Sequence, residues 1–469
     1  MGYILFINLI KNLFKPVNTD YFMEGKKETL YYFGLTFVSK FITYLLLLVL
    51  ANYFYISEYG RASFALAVFN VVYFFMLIGL PDVFVPWYIN KKDVNSVFYF
   101  LALVTGIFTV IGIFVSLIYN WILPLVISLP FLFFYLLGYS IFRIKKQYHL
   151  LKISDILFVL LTFIFVYFFR ESGKFGITLG YGLAYIITGI FVFVLSRKEI
   201  IQIISSFRFD LQPIIIYLKK GFSTAMVVLS YLFLGWIDSI ILGKLSTYEN
   251  VARYSIASPI ANIITVVPLA LSMFLLTRIS EVKKEQLSSS IFNRILRLSV
   301  FFSLLLSILL ISVVNIILNI FFKQYSDVGI YVTILMTGVL YFCVYTLIAT
   351  YLSAKLTPEK IVIPIITAAL LNVILDILLI PQYGLLGICI ATMIAHMAAF
   401  TLLTIRVGIF LKFIPVYFIS LLLLASFYLG YYGLILIPLS VLVLFIFKLI
   451  RLNDLEVIKE VLLKSLNLR

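Results

Sequence analysis

Fourteen long apolar stretches, each about the length of a bilayer crossing, run through almost the whole 469-residue chain. A helix of roughly 20 apolar residues spans about 30 Å of hydrocarbon, and in lipid only helices and closed barrels satisfy their own backbone hydrogen bonds. The stretches are too long and too uniformly apolar for barrel strands. Charged residues make up 12% of the chain, against roughly 25% in soluble proteins. The sequence therefore predicts an all-α polytopic membrane protein with about 14 transmembrane helices.

The predicted spans lie near residues 30–54, 59–80, 95–118, 120–142, 153–170, 175–196, 217–243, 251–277, 293–322, 327–354, 360–380, 384–405, 409–430 and 432–450. The break at Asn120 is a single polar position and predicts a tight hairpin. Residues 1–15 and 451–469 show apolar and basic residues at helical spacing, which predicts interfacial segments.

The distribution of basic residues tests this map, because cytoplasmic loops carry an excess of Lys and Arg. With a cytoplasmic N-terminus, nearly all of the 36 Lys and Arg residues fall on the cytoplasmic side. The residues that fall elsewhere are Lys40, inside a span, and Arg61, Arg170, Lys174, Lys244, Arg253 and Lys323, on the outer side. We therefore predict a multi-pass protein of the plasma or inner membrane with both termini cytoplasmic. The net charge of +16 indicates topology and contact with anionic lipids, and no basic soluble domain exists that would bind nucleic acid.

The chain repeats itself weakly. A shift of 192 residues aligns Arg61 with Arg253, and a shift of 208 aligns Gly176 with Gly384. Six spans separate the copies, which is typical of a parallel repeat about an axis along the membrane normal. This predicts two pseudo-symmetric six-helix bundles and two additional helices. The predicted divisions are an N-terminal segment 1–29, a first bundle 30–196, a cytoplasmic linker 197–216, a second bundle 217–405, two added helices 406–450 and an amphipathic tail 451–469.

Three groups of segments carry a resemblance to a known family. They are residues 56–61 (I-S-E-Y-G-R) with 78–81 (I-G-L-P), residues 236–243 with 254–257 and 276–281, and residues 372–381 leading into 384–392. These resemble the polysaccharide-export branch of the multidrug/oligosaccharidyl-lipid/polysaccharide flippase superfamily. Thr277 and Asp376 depart from it, at positions where the family often has Pro and Asn. The resemblance implies a flippase of lipid-linked oligosaccharides, with a polyprenyl-linked glycan as substrate.

Charged residues within spans are the first candidates for a transport pathway, because their insertion into lipid is costly. Asp238 either lines a cavity, as a cation, proton or sugar site, or pairs structurally with a neighbour. Lys40 either attracts a diphosphate or neutralises Asp238, unless it snorkels to the interface. Asp376 is a second pathway candidate or satisfies backbone groups near a helix end. His396 could relay protons near neutral pH, or pack as a hydrogen-bonding core residue.

Three arginines complete the candidate pathway. Arg61 and Arg253 occupy equivalent outer positions, which suits either a pseudo-symmetric gate or interfacial anchoring. Arg297, with Arg294, starts the ninth span at the inner face, where it could bind phosphate oxygens or simply set topology. Cys343 and Cys389 lie within spans and are predicted to be packed thiols, so no metal site and no cofactor is predicted.

The predicted function is alternating-access flipping of polyprenyl-diphosphate oligosaccharides from the cytoplasmic to the outer leaflet, for surface polysaccharide or glycoprotein assembly. No nucleotide-binding loop is present, so protons or sodium ions are candidate coupling partners and polysaccharide-assembly glycosyltransferases are candidate protein partners. The alternative is a cation-coupled antiporter of small organic solutes or drugs, although those relatives typically stop at twelve spans. Short loops argue against a glycosyltransferase or polymerase, so we predict that the protein is not an enzyme. Polar residues at matched positions argue against a mere scaffold.

Overall fold

The computed structural model describes residues 26–77, 84, 94–145, 147–205, 209–219, 233–266, 268, 285–354, 359–447 and 449. The interfacial segments predicted at 1–15 and 451–469 lie outside these residues, as do parts of the seventh and eighth spans. Within the described residues the chain is helical and contains no strand. The predicted all-α class is confirmed.

Fourteen α-helices follow one another in the described part of the chain. Their bounds are α1 Lys26–Tyr53, α2 Ile56–Leu77, α3 Val94–Ile118, α4 Leu123–Ile144, α5 Tyr148–Phe168, α6 Gly173–Ile204, α7 Asp238–Leu245, α8 Tyr248–Ala261, α9 Glu285–Phe321, α10 Gly329–Ala354, α11 Glu359–Tyr383, α12 Leu385–Val407, α13 Ile414–Leu429 and α14 Leu436–Ile446. Residues 211–219 are helical as well.

Ten stretches of described helix are long and apolar enough to cross a membrane. They include α2 to α6 and α9 to α12, and the tenth, Phe410–Ile446, takes in both α13 and α14. Residues Val38–Tyr53 of α1 form a shorter apolar stretch. The chain is therefore a multi-pass membrane protein.

Several boundaries differ from those predicted. α6 continues through Ile204, so the first residues of the predicted linker 197–216 are helical. α9 begins at Glu285, so Arg294 and Arg297 lie two to three turns inside the helix and not at its start. α11 continues through Pro381 to Tyr383, so Asp376 lies inside the helix and not at its end. Charge and hydropathy predict where the membrane boundary lies. A helix can continue beyond that boundary when no helix-breaking residue follows.

The predicted hairpin at Asn120 is confirmed. α3 ends at Ile118, a short 3-10 turn covers Asn120–Ile122, and α4 follows directly and packs against α3. In α8, the helix changes to a 3-10 turn at Asn262, three residues after Pro259. This irregularity is expected near a helical proline, which removes a backbone donor and crowds the preceding turn.

The described residues divide into two compact units, one within residues 31–255 and the other within residues 26–30 and 256–449, with boundaries inside α1 and α8. The assignment of residues 217–405 to a second bundle stays a prediction. In the first unit the core lies between α3, α4 and α6, around Leu101, Leu129, Phe133 and Leu137.

Helix packing repeats from one unit to the other. In the first unit α6 packs most extensively against α4 and α5, and α4 packs against α3. In the second unit α12 packs in the same way against α10 and α11, and α10 packs against α9. These three pairs of neighbours are the same when six is added to each helix number, as expected for two copies of one bundle.

The helix boundaries give the offset between the copies. α1 ends at Tyr53 and α7 at Leu245, while α2 begins at Ile56 and α8 at Tyr248, so both boundaries agree with the predicted shift of 192 residues.

The second predicted shift, which paired Gly176 with Gly384, was wrong by three residues. Gly173 and Gly384 are the equivalent positions, because each lies at the start of its helix with positive φ, 56° and 54°. Three residues later, Gly176 and Gly387 each press against a carbonyl of the preceding helix. Glycine suits both kinds of position. It adopts a positive φ without steric cost at the first position, and it has no side chain that would collide with the carbonyl at the second.

Candidate functional site

The segment 56–61 at the start of α2 connects three helices of the first unit. The carboxylate of Glu58 lies against Gly173, the first residue of the 32-residue helix α6. A negative charge at a helix N-terminus is favourable, because the unpaired N–H groups there carry partial positive charge. Glu58 therefore joins α2 to α6.

The next residues of this segment meet α8. Gly60 lies so close to the Tyr248 carbonyl that no side chain fits at this position. The guanidinium of Arg61 lies 5.2 Å from the centre of the Tyr248 ring, within range of a cation–π interaction. Tyr59 lies with its hydroxyl 3.5 Å from the Ser255 carbonyl. The shift of 192 residues aligns the start of α2 with the start of α8, and these two segments are in direct contact.

Arg61 itself is exposed, and Arg253 is half-buried on α8. The structure thus places the two repeat-related arginines on helices that touch through Gly60 and Tyr248. Whether they form a gate or anchor the interface stays a prediction.

Asp238 is fully buried and is the first residue of α7. A π turn over Phe233–Ile237 precedes it, and such turns are frequent at functional sites. The hydroxyl of Tyr254 donates a hydrogen bond of 2.6 Å to Asp238 Oδ2. Two of the sequence segments that carried the family resemblance are therefore joined by one buried hydrogen bond.

A polar network near the start of α5 was missed by the sequence analysis. Tyr135 donates a hydrogen bond of 2.8 Å to Asp155 Oδ1, and Lys152 donates one of 2.9 Å to Asp155 Oδ2. Lys40 is exposed on α1. By topology Lys152 belongs to the basic residues predicted on the cytoplasmic side. The spacing Lys-x-x-Asp, which places both side chains on one helix face, was the available signal.

In the second unit Asp376 is fully buried on α11, and Asn372 Nδ2 donates a hydrogen bond of 3.0 Å to its Oδ2 atom. α11 and α12 form a hairpin about Gly384. Asp376 and Thr392 lie the same distance before and after this glycine, about two turns, so they are at the same level of the hairpin. Thr392 is also buried, and its hydroxyl donates to the Ile388 carbonyl. Two buried oxygen-bearing side chains, Asp376 and Thr392, thus lie at one level of the hairpin, and Asn372 bonds to Asp376 from about one turn away.

His396 is buried on α12 and stacks on Phe342, with ring centres 4.9 Å apart. Among the described residues its Nδ1 atom has no hydrogen-bond partner. The contact seen is therefore aromatic packing, and the proton-relay role stays a prediction. Arg294 and Arg297 are half-buried on α9. Cys343 and Cys389 are buried thiols, as predicted.

Neither a protein-family model nor a curated protein sequence matches the chain. Solved structures do match. One is the lipid II flippase MurJ in an inward closed conformation, with a TM-score of 0.72 and 20% identity, covering 90% of this chain and 99% of that chain. The chain has the fold of MOP-superfamily transporters. A second match supports this: an inward-facing multidrug resistance MATE transporter of that superfamily, with a TM-score of 0.61 and 13% identity over 84% of this chain and 95% of that one.

This fold agrees with the superfamily that the sequence segments resemble. Identities of 20% and 13% show the fold alone, so membership of the superfamily and of its polysaccharide-export branch stays a prediction.

Proposed function

We propose that the protein is a flippase that moves polyprenyl-diphosphate oligosaccharides from the cytoplasmic to the outer leaflet of the cell membrane by alternating access. The observation that carries the proposal is the likeness to a lipid II flippase over 90% of this chain and 99% of that one. We propose that the glycan is used in surface polysaccharide or glycoprotein assembly. We also propose that both termini are cytoplasmic and that polysaccharide-assembly glycosyltransferases are partners. The protein itself carries out no chemical reaction in this account.

The physical need for such a protein is clear. Moving one unpaired hydroxyl into hydrocarbon costs roughly 4–8 kcal/mol on the cyclohexane scale, and a headgroup with several sugars and two phosphates multiplies this cost. The protein must offer a polar path to the headgroup while the polyprenyl tail stays in lipid.

The charges inside the first unit favour an anionic headgroup over a cationic drug. Lys40 is exposed, whereas Asp238 is fully buried and Asp155 is already held by Lys152 and Tyr135. A binding surface for organic cations would need an accessible carboxylate. An accessible ammonium instead attracts the phosphates of a lipid diphosphate.

The energy source that we propose is an ion gradient acting through the second unit. Asp376 and Thr392 are buried at one level of the α11–α12 hairpin, and Asn372 donates a hydrogen bond to Asp376. Hard cations such as Na⁺ prefer oxygen ligands, and a buried carboxylate can also bind a proton. Asp376 is therefore the proposed coupling residue, with Asp238 and Tyr254 as a second buried carboxylate and its partner.

Two transport assays on the same proteoliposomes test this proposal. One measures inversion of a fluorescent polyprenyl-diphosphate oligosaccharide under proton and sodium gradients, and the other measures efflux of a small organic cation. Headgroup inversion without cation efflux is the expected result. Cation efflux without inversion under any gradient would replace the flippase by the antiporter.

A further inference from the structure

Two cations of the first unit lie on a pair of touching aromatic rings, in an arrangement that the proposed function has not used. The Arg61 guanidinium lies 5.2 Å from the centre of the Tyr248 ring, and the Lys244 ammonium lies 5.8 Å from the centre of the Phe64 ring. The two rings meet edge to face, with centres 5.8 Å apart. Arg61 and Phe64 belong to α2, whereas Lys244 lies in the last turn of α7 and Tyr248 begins α8. We call these four residues the outer platform.

Glycines on both sides hold the outer platform together. A side chain at Gly60 would collide with the Tyr248 carbonyl, and a side chain at Gly243 would collide with the Phe64 ring. Small residues of this kind allow helices to approach one another closely. The backbone packing of α2 against α7 and α8 therefore brings Arg61 and Lys244 to one place.

The charges of the outer platform are not neutralised within the described part of the chain. Arg61 and Lys244 are both exposed, and neither forms an ion pair or a hydrogen bond with a described residue. Glu249, next to Tyr248, is half-buried and forms no ion pair with either cation. Because like charges on touching rings repel each other, an anion bound by both cations would remove this repulsion.

Positive charge is unevenly distributed over the predicted outer side. Of the basic residues predicted there, all except Lys323 lie in the first unit. They outnumber the acidic residues of the same side of that unit, Glu58, Glu171 and Glu249, whereas in the second unit Lys323 is followed on the described 3-10 turn by Asp327. Outer loops ordinarily carry few Lys and Arg residues. Topology therefore gives no reason for the cations of the outer platform, and a ligand does.

We propose that the outer platform binds the diphosphate of the lipid-linked headgroup after it has crossed the membrane, and holds it before release into the outer leaflet. A guanidinium binds phosphate oxygens through a planar fork, and an ammonium binds them as a point charge. A diphosphate offers one phosphate to each cation. The platform lies at the ends of the helices, where the headgroup reaches it while the polyprenyl tail stays in lipid. This inference rests on the proposed function.

A fluorescent reporter beside the platform tests the inference on the full chain in detergent. Leu245→Cys introduces a thiol at an exposed position next to Lys244, and an environment-sensitive fluorophore attached there reports binding at the platform rather than at Lys40. Cys343 and Cys389 are buried and should label slowly. The probe is a short-chain polyprenyl diphosphate without a sugar. We expect a saturable change in fluorescence when this probe is added.

Charge variants of the labelled chain show whether the two cations bind the probe. Arg61→Gln and Lys244→Gln combined should weaken binding by about tenfold or more, since one hydrogen bond to a charged group contributes about tenfold or more. Lys323→Gln, an exposed lysine of the second unit, is the matched control and should bind the probe like the native chain. If the double variant does not fold, Lys244→Gln alone should weaken binding by about tenfold.

The same titration with a short-chain phosphatidylglycerol separates the two sources of phosphate. A much weaker response than to the diphosphate supports the proposal, whereas an equal response would make the platform an anchor for ordinary lipids and overturn it. No response to the diphosphate, or an unchanged affinity in the double variant, also overturns the platform. Headgroup inversion by the unlabelled native chain in proteoliposomes is measured alongside. Inversion that persists while platform binding is absent overturns the platform alone, and absence of inversion overturns the flippase.

Discussion

The hydroxyl of Tyr254 donates a 2.6 Å hydrogen bond to the carboxylate of Asp238, and both side chains are buried. Asp238 is the first residue of α7 and Tyr254 lies on α8, so the bond joins these two short helices. It also fixes a buried carboxylate directly after the π turn. A proposed pathway residue is thereby held in one orientation by a named partner.

Replacing Tyr254 by phenylalanine removes this donor and keeps the ring. Because hydrogen bonds to charged groups contribute about 1.5–3 kcal/mol, Tyr254→Phe should lower the free energy of unfolding by about that amount. Thermal unfolding of the purified protein in detergent measures it, with Tyr428→Phe as the exposed control. A Tyr254→Phe variant as stable as the native chain would show that the hydrogen bond does not stabilise the contact between α7 and α8.

A methyl group at Gly60 should be poorly tolerated. A Cβ atom there would collide with the Tyr248 carbonyl, a backbone group that cannot rotate away. We expect Gly60→Ala to destabilise the protein by about 1–3 kcal/mol. Gly106→Ala is the matched control, because a Cβ there meets nothing within 4 Å, and it should stabilise α3 by about 0.5–1 kcal/mol. Equal unfolding temperatures for the two variants would contradict the close contact between α2 and α8.

The ion-coupling proposal predicts a specific loss in Asp376→Asn. The amide is nearly isosteric with the carboxylate but carries no charge, so it can neither bind a proton nor balance a cation. Headgroup inversion should then no longer respond to the proton or sodium gradient that drives the native chain. Glu359→Gln, on an exposed carboxylate of the same helix, should respond like the native chain. A gradient response that persists in Asp376→Asn would exclude this residue as the coupling site.

Hydropathy was enough to predict the helices, because lipid leaves a long apolar segment no alternative to a helix. The shift of 192 residues was also readable, since Arg61 and Arg253 mark the same turn of equivalent helices. The second offset was misread because each copy contains two glycines three residues apart. Gly176 can therefore be aligned with Gly384 or with Gly387, and the sequence does not distinguish the two alignments. Only backbone geometry separates them.

The partners of the polar residues could not be predicted. Hydropathy assigns Lys152 to a cytoplasmic boundary, whereas Asp155, which it binds, also accepts a hydrogen bond from Tyr135 on another helix, whose rotation the sequence does not specify. The same holds for Tyr254 and Asp238. The start of α2 shows the converse case. Residues 56–61 stood out as a family resemblance, and contacts of Glu58 with Gly173 and of Gly60 with Tyr248 supply the physical reason.

The central claim is that an anionic lipid headgroup crosses the membrane past Lys40. The most direct measurement is the inversion rate of a fluorescent polyprenyl-diphosphate oligosaccharide in proteoliposomes containing Lys40→Arg, Lys40→Gln or Lys40→Glu, with Lys323→Gln, an exposed lysine between α9 and α10, as the control. We predict that Lys40→Arg and Lys323→Gln invert the headgroup nearly as fast as the native chain. Lys40→Gln should be slower by about tenfold or more, since one charge-assisted phosphate contact contributes about 1.5–3 kcal/mol, and Lys40→Glu slower still. Inversion by Lys40→Glu at the native rate would contradict the account.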